Sequence, residues 1–400
     1  MGYIILSHLY YKYKDEYTKL YEQRKSSEST RLLPILIQGN QAFYCLCPDI
    51  YDLSTRIMVL DKKVSLIREN LPMAALTQFA MKCLIDEIKL SCDIEHVYST
   101  RSELSAVLDS INTSKKNVRF RGLVQKYSML SEEDLSLKSC TDIRCIYDEL
   151  VLNEVKEDAA DNVPDGEIFR KGLAEVANSA QRVIHRGAYP ESKIIEQMEQ
   201  ALHVLNDSEI PILVRISIFH YLFGYTHPFY DGNGRTSRFI SSYLLAQEFD
   251  FLIGYRLSYT IKENLSKYYK AFQECNDTKN RGDLTPFIIM FLTIVCESFE
   301  KLYEALEKRR NSLLHYRKLI KKIYEVNAFS DEDKKFSDIL LQTTLFSDKG
   351  ITKKKLCDEL KISLSTVDKR LEKVRKANVL SEKRGERAYQ YALDLSLLTE

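Results

Sequence analysis

The chain has no surplus of charge of either sign. Over 400 residues the formal net charge is +1. That excludes a global field aimed at nucleic acid or an anionic membrane, so any basic surface must be local. No apolar run approaches the roughly 18 to 20 residues that a membrane helix needs. The opening, MGYIILSHLYYKYK, lacks a basic leading segment, and its short apolar run is soon followed by charges, unlike a secretory signal. Gly2 has no Ser or Thr in the sixth position, which argues against myristoylation. The nine cysteines include no C-x-x-C pair. That usage suits reduced thiols, several of them buried, in a reducing compartment. A cytoplasmic protein without a membrane partner is expected. Internal repeats and low-complexity blocks are absent as well.

What is present is ordinary globular composition, 44% apolar and 29% charged, in a length sufficient for two or three domains. Residues 33 to 64 mix short apolar runs with Gly-Asn and Pro-Asp turn signals, and a small β element is expected there. From about 70 to 325 the apolar residues recur at three- and four-residue spacing, as in AALTQFAMKCLIDEIKL and PILVRISIFHYLFGY, which predicts helices. One interruption, QRVIHRGAYPES at 181 to 192, alternates and then meets Gly187 and Pro190. It reads as a short hairpin turning there. A long amphipathic segment ends near 327, followed by a compact basic tail. The division expected is 1–75, partly β; 76–326, helical; and 327–400.

The stretch with most chemistry is HPFYDGNGRTSR, residues 227 to 238. Gly232 and Gly234 permit positive φ, so the backbone can fold into a nest of converging N–H groups. An apolar-periodic helix follows directly, and its free N-terminal N–H groups point the same way. Arg235 and Arg238 share a face of the first turn, and guanidinium forks suit phosphate oxygens. Two cations at the positive end of a helix are costly unless an anion belongs there. Asp231 then needs a divalent cation, such as Mg²⁺, between it and the phosphates. His227, neutral in the main at pH 7 if unperturbed, would be a general base awaiting a nucleophile. No Gly-x-x-x-x-Gly-Lys occurs, so this is not a P-loop. His220, seven residues before His227, is expected to be a packed helix residue rather than a metal ligand.

HPFYDGNGRTSR resembles the signature of Fic-domain proteins, His-x-Phe-x-Asp-Gly-Asn-Gly-Arg-x-x-Arg, at every fixed position. PILVRISIFHYLFGY resembles the helix that leads into it, and the resemblance extends over residues 80 to 325. It implies a mainly α Fic fold with a β-hairpin flap, and transfer of AMP from ATP to a Ser, Thr or Tyr hydroxyl of a target protein. By position, His227 would be the base and Asp231 would hold Mg²⁺, with Mn²⁺ as a substitute. Asn233, Gly232 and Gly234 would bind the α-phosphate, Arg235 the β-phosphate region and Arg238 the γ-phosphate. Phe229 would pack beneath the loop. Val183, Ile184 and His185 would form the flap that docks the target by strand addition. Tyr268 and Tyr269 would line the adenine pocket, with plain core packing an equal reading.

The resemblance also implies an internal brake of the pattern Ser/Thr-x-x-x-Glu-Gly/Asn, whose glutamate pairs with Arg238. SCDIEH offers Ser91 and Glu95, with His96 where Gly or Asn is expected. SLIREN offers Glu69 as second choice and fits the pattern to the letter. Glu95 is preferred, because the segment around it resembles the usual inhibitory helix.

The tail reads as helix, turn, helix and strand pair, with Leu356, Leu360, Val367, Leu371 and Val374 inward and Ser363 or Ser365 capping the second helix. It resembles a winged helix-turn-helix. Lys369, Arg370, Lys373, Arg375 and Lys376 could meet DNA phosphates, or the module could serve protein contacts or a homodimer, since Asp368 and Glu372 interrupt the basic face. The expected function is a self-inhibited protein adenylyltransferase, a nucleotidyltransferase. The alternatives are transfer of another nucleotide, removal of AMP, or a DNA-binding regulator with an ATP-sensing Fic domain.

Overall fold

The computed structural model describes residues 2–111, 118–177, 183–385 and 388–398. The protein is mainly α-helical, with three two-stranded antiparallel sheets among the described residues. It parts into two compact units, residues 1–61 with 84–300 and residues 62–83 with 301–400. The boundaries between the units fall after residues 61, 83 and 300.

The first unit opens with α1 (Leu6–Tyr10) and α2 (Lys14–Lys25), followed by the hairpin β1 (Thr30–Ile37) and β2 (Asn40–Cys45). Gln38 and Gly39 form its turn, with φ of 49° and 78°, the left-handed pair that matches strand twist. The expected β element stops there. Pro48, read as a turn signal, is the first residue of α3 (Pro48–Glu69), where its fixed φ and missing N–H cost nothing. Helix α4 (Met73–Ile94) follows, and then α5 (Arg101–Asp109), α6 (Arg121–Ser128), α7 (Cys140–Leu150) and α8 (Leu152–Asp158). A capping box of Ser139 and Asp142 starts α7.

Strands β3 (Glu175–Ala177) and β4 (Val183–Arg186) pair in antiparallel fashion. Gly187 and Pro190 follow β4 and lead into the next helix, so the expected turn of the hairpin is not there; Gln181 and Arg182 of the expected hairpin lie outside the described residues. Helices α9 (Glu191–Asn206), α10 (Ile212–Thr226) and α11 (Asn233–Glu248) pack on one another in sequence order. Leu213, Val214, Ile216, Ile218, Phe219, Tyr221, Leu222 and Phe223 of α10 are all buried. A helix apolar all round belongs in the centre of a core. Around it lie α12 (Leu257–Glu263), α13 (Leu265–Asn276) and the start of α14 (Thr285–Val326), whose Phe287, Phe291, Val295 and Phe299 are buried. Buried Glu87 of α4 accepts the N–H of Ser258 at 2.8 and 2.9 Å. That carboxylate satisfies a free donor at the start of α12 and anchors α4 to it.

The tail of the second unit holds α15 (Asp331–Phe346), α16 (Lys353–Leu360), α17 (Leu364–Lys376), β5 (Leu380–Arg384) and β6 (Tyr389–Leu393). Leu356, Val367, Leu371 and Val374 are buried as the spacing predicts; Leu360 is half-buried. Ser363 caps α17. Lys373 bonds Asp333, and Arg375 bonds Glu372 and Glu382. Lys369, Arg370 and Lys376 keep their charges unpaired among the described residues.

Candidate active site

The motif lies where α10 ends and α11 begins. His227 closes α10 with φ of 52°, a left-handed backbone that costs a non-glycine residue about 1 to 2 kcal/mol. Such strain persists only where the surroundings hold it, and here they do. Arg170, wholly buried, donates to the carbonyls of His227 (2.9 Å), Ala188 (2.9 Å), Thr226 (3.4 Å) and Gly172. A buried guanidinium satisfied by four carbonyls thus ties the loop of the base to the exit of the β3–β4 hairpin. Sequence reasoning missed Arg170. The available clue was an arginine amid apolar and glycine residues in GEIFRKG, and a lone arginine carries little information.

Phe229 is fully buried beneath the loop, stacked on Tyr147 with centroids 3.7 Å apart and edge-on to Phe169. Gly232 has φ of 79° and is the N-cap of α11, as the nest requires. Gly234 does not share that backbone. It lies in the helix, and its missing Cβ leaves the space that the Glu95 carboxylate fills. Asn233 lines the cavity, but its side chain is engaged by the loop. Its Oδ1 accepts from Phe229 N (2.9 Å) and its Nδ2 donates to Phe229 O (2.7 Å). This staples the turn and leaves one amide hydrogen for a ligand.

The two arginines differ. Arg238, 1% exposed, holds Glu95 through Nη1 at 2.8 Å. Its Nε and Nη2 donate to Ser91 Oγ (3.0 Å) and Ser91 O (2.9 Å). Burial opposes ionisation of Glu95, yet Arg238, aided by Arg235, outweighs it and holds the carboxyl below its usual range. Glu69 is exposed at the end of α3, so the glutamate at the motif is Glu95. Arg235 does not line the cavity. It is buried between Glu154 (3.1 Å) and Asp231 (3.2 Å).

Helix α4 stops at Ile94, and His96 has φ of 59°. The Val97 N–H reaches back to Cys92 O at 3.0 Å, a closure of the Schellman kind. The position after the glutamate is therefore left-handed, which is why Gly or Asn is favoured there and why His96 is strained.

A cavity of 140 Å³ is lined by Glu95, His227, Arg238, Tyr268, Tyr269 and Phe272, among others. It is smaller than the roughly 300 Å³ at which ligand pockets begin, and Glu95 stands within it. Tyr268 is nearly buried and its hydroxyl bonds His220 Nε2 at 2.7 Å; Tyr269 is 38% exposed. His220 also bonds Ser241 at 2.8 Å, and burial pushes it down to about 3. It is a neutral packed residue, not a metal ligand. His227 is likewise pushed down to about 4, by burial first and then by His185 and Arg170. His185 of β4 faces a second, polar cavity of 590 Å³ as well as the first. Its Nε2 bonds Tyr225 O at 2.6 Å. Val183 and Ile184 continue the backbone of β4, which has no strand neighbour but β3 among the described residues.

Among the described residues no cluster of three His, Cys, Asp or Glu side chains could hold a metal. Asp231 does suit a cation shared with phosphate. One oxygen takes the Gly232 N–H and Arg235, and the other has no partner among the described groups. A single hard oxygen fits Mg²⁺, which keeps waters and phosphate oxygens in the rest of its shell.

Residues 139–245 match the family model described as Fic/DOC family. This is narrower than the 80–325 of the sequence resemblance, and it holds the motif but not Glu95. The protein adenylyltransferases Fic of Drosophila virilis and Drosophila melanogaster are each 32% identical over 95 residues, 24% of this chain. The matched part spans only 18% of the length of either relative. Over a wider span, a Fic family protein from Desulfovibrio desulfuricans G20 superimposes with a TM-score of 0.52 at 19% identity. That match covers 88% of this chain and 97% of the other, and at such identity it bears on the fold alone.

Proposed function

We propose that this chain, which carries a Fic/DOC domain at residues 139–245, is a protein adenylyltransferase held in check by its own Glu95. The observation that carries this reading is the position of Glu95. A carboxylate occupies the N-terminus of α11, paired with Arg238, in a cavity beside a neutral histidine. The anion site inferred from the sequence is already filled by an internal anion. Nucleotide transfer then requires Glu95 to leave.

With Glu95 displaced, the free N–H groups of α11 and Arg238 receive the triphosphate, Arg238 at its γ-end. His227 takes the proton of the acceptor hydroxyl, whose oxygen forms a bond to the α-phosphorus as the bond to the β-phosphate oxygen breaks. Diphosphate departs and AMP stays on the target. A histidine pushed to about 4 is a weak base, but the arriving phosphate charge raises it toward useful values. Asn233 directs its remaining amide hydrogen to the α-phosphate. Asp231 would hold Mg²⁺, or Mn²⁺, which neutralises charge on the departing diphosphate. The adenine would sit against Tyr269 and Phe272, because flat rings stack on bases. The target segment would add to the free edge of β4, with its hydroxyl entering past His185, which borders both cavities.

The tail, three helices and a hairpin, we read as a winged helix-turn-helix with three unpaired cations on or beside α17 for DNA or an acidic partner. Incubation with ATP labelled at the α-phosphate tests the function. Label transferred to protein, raised in Glu95→Gly and abolished by adding His227→Ala, supports it. DNA binding without labelling in any variant would favour the regulator, and release of AMP from modified protein would favour the reverse reaction.

A further inference from the structure

Arg235 is 2% exposed, and its guanidinium has a carboxylate on each of two arms. Nη1 meets Glu154 Oε2 at 3.1 Å, and Nη2 meets Asp231 Oδ1 at 3.2 Å. The carboxylates differ in setting. Asp231 is 36% exposed at the loop, whereas Glu154 of α8 is 4% exposed. The backbone N–H of Phe120 at the start of α6 lies near enough to Glu154 to favour its ionised form.

A carboxylate this deeply buried is costly unless paired. Burial pushes Glu154 up to about 7 despite Arg235. What Arg235 touches, besides Glu154, is the one oxygen of Asp231 that is not left free. The chain Glu154–Arg235–Asp231 therefore joins a buried anchor to an exposed carboxylate with a spare oxygen.

We propose that Glu154 is a positioning residue: through Arg235 it orients Asp231 so that its free oxygen is presented to a divalent cation. This rests on the reading of Asp231 as the cation's ligand. Fixing one carboxylate oxygen limits rotation about the Cβ–Cγ bond, and a hydrogen-bonded ligand is held in the geometry the metal requires. Outer partners of this kind are typically worth about 10- to 100-fold in metal affinity.

The experiment is a titration of Mn²⁺ followed by electron paramagnetic resonance, on full-length Glu95→Gly protein with a non-hydrolysable ATP analogue. Thermal melting and analogue binding without metal are measured alongside. Adding Glu154→Gln should weaken Mn²⁺ about 10- to 100-fold while analogue binding without metal stays within twofold. Arg235→Lys, which keeps the charge but loses the fork, should weaken it likewise, and it serves if Glu154→Gln does not fold. Asp231→Ala should abolish the ternary signal. If Glu154→Gln and Arg235→Lys fold and bind Mn²⁺ as tightly as the parent while Asp231→Ala does not, the positioning role is overturned and the cation reading survives. If Asp231→Ala itself retains full affinity, the cation lies elsewhere and both fall.

Discussion

Removing the Glu95 carboxylate should open the site, and the structure bounds by how much. In Glu95→Gly the 2.8 Å bond to Arg238 is lost. A fully buried pair broken on one side costs about 3 to 5 kcal/mol, and an exposed pair is worth about 0 to 1 kcal/mol. This pair lies between those limits, because Arg238 is 1% exposed and Glu95 29%. Arg238 also keeps both bonds to Ser91, so it is not orphaned. The range expected for a charged hydrogen bond, about 1.5 to 3 kcal/mol, is the appropriate one. A triphosphate must break this bond to bind, so its removal should tighten ATP binding about 10- to 150-fold. Without ATP the variant should melt a few degrees lower. Calorimetric titration with Mg-ATP, beside a melting curve, reads both. An ATP affinity within twofold of the parent would refute the reasoning, most decisively if Glu69→Gly tightened binding instead.

Three further outcomes follow from the same geometry. His96→Gly should relieve the left-handed strain at the end of α4 by about 1 kcal/mol, favour the paired state of Glu95 and lower basal labelling several-fold; increased labelling would contradict this. His185, His220 and His227 are all shifted down by burial. These rings remove stability as pH falls from about 6.5 to 4, while Glu87 and Glu154, pushed up by burial to about 7, add stability as pH falls from about 7 to 4.5, so the two sets oppose each other. Glu154→Gln, which removes one opposing group, should therefore lose melting temperature more steeply on acidification than the parent; identical pH profiles would contradict this. Arg170→Ala should leave the carbonyls of His227, Ala188 and Gly172 without the guanidinium donor, while Thr226 O keeps the Ala188 N–H, and cost about 3 to 5 kcal/mol by denaturant titration; a loss under 1 kcal/mol would show that water replaces the guanidinium.

The helical core was legible because its apolar spacing is strong, and the motif because its order of polar and glycine residues is fixed. The hairpin was misplaced for a physical reason. Strand β4 pairs with β3, which precedes it, while Gly187 and Pro190, the louder turn signals, lead out of β4. Pro48 deceived in the same way, since a proline before a helix and one in a turn read alike. Arg235 was expected beside phosphate from the face it shares with Arg238 and from the resemblance, and its two acid partners were not foreseen. The acid that holds it, Glu154, comes from a helix about eighty positions earlier, a pairing no local pattern reveals. Glu95 was singled out only through the resemblance, and a loose pattern fitted Glu69 better; of the two it is Glu95 that pairs with Arg238. His96 became intelligible once its backbone was seen to be left-handed.

The central claim is that His227 moves AMP onto protein once Glu95 is out of the way. The direct measurement is mass spectrometry of target proteins after incubation with Glu95→Gly and ATP labelled at the α-phosphate, beside the double variant that also carries His227→Ala. Targets incubated with the first should gain the mass of AMP on Ser, Thr or Tyr, and those incubated with the second should gain none. ATP binding as tight as predicted with no modified protein, or modification that persists without His227, would contradict it.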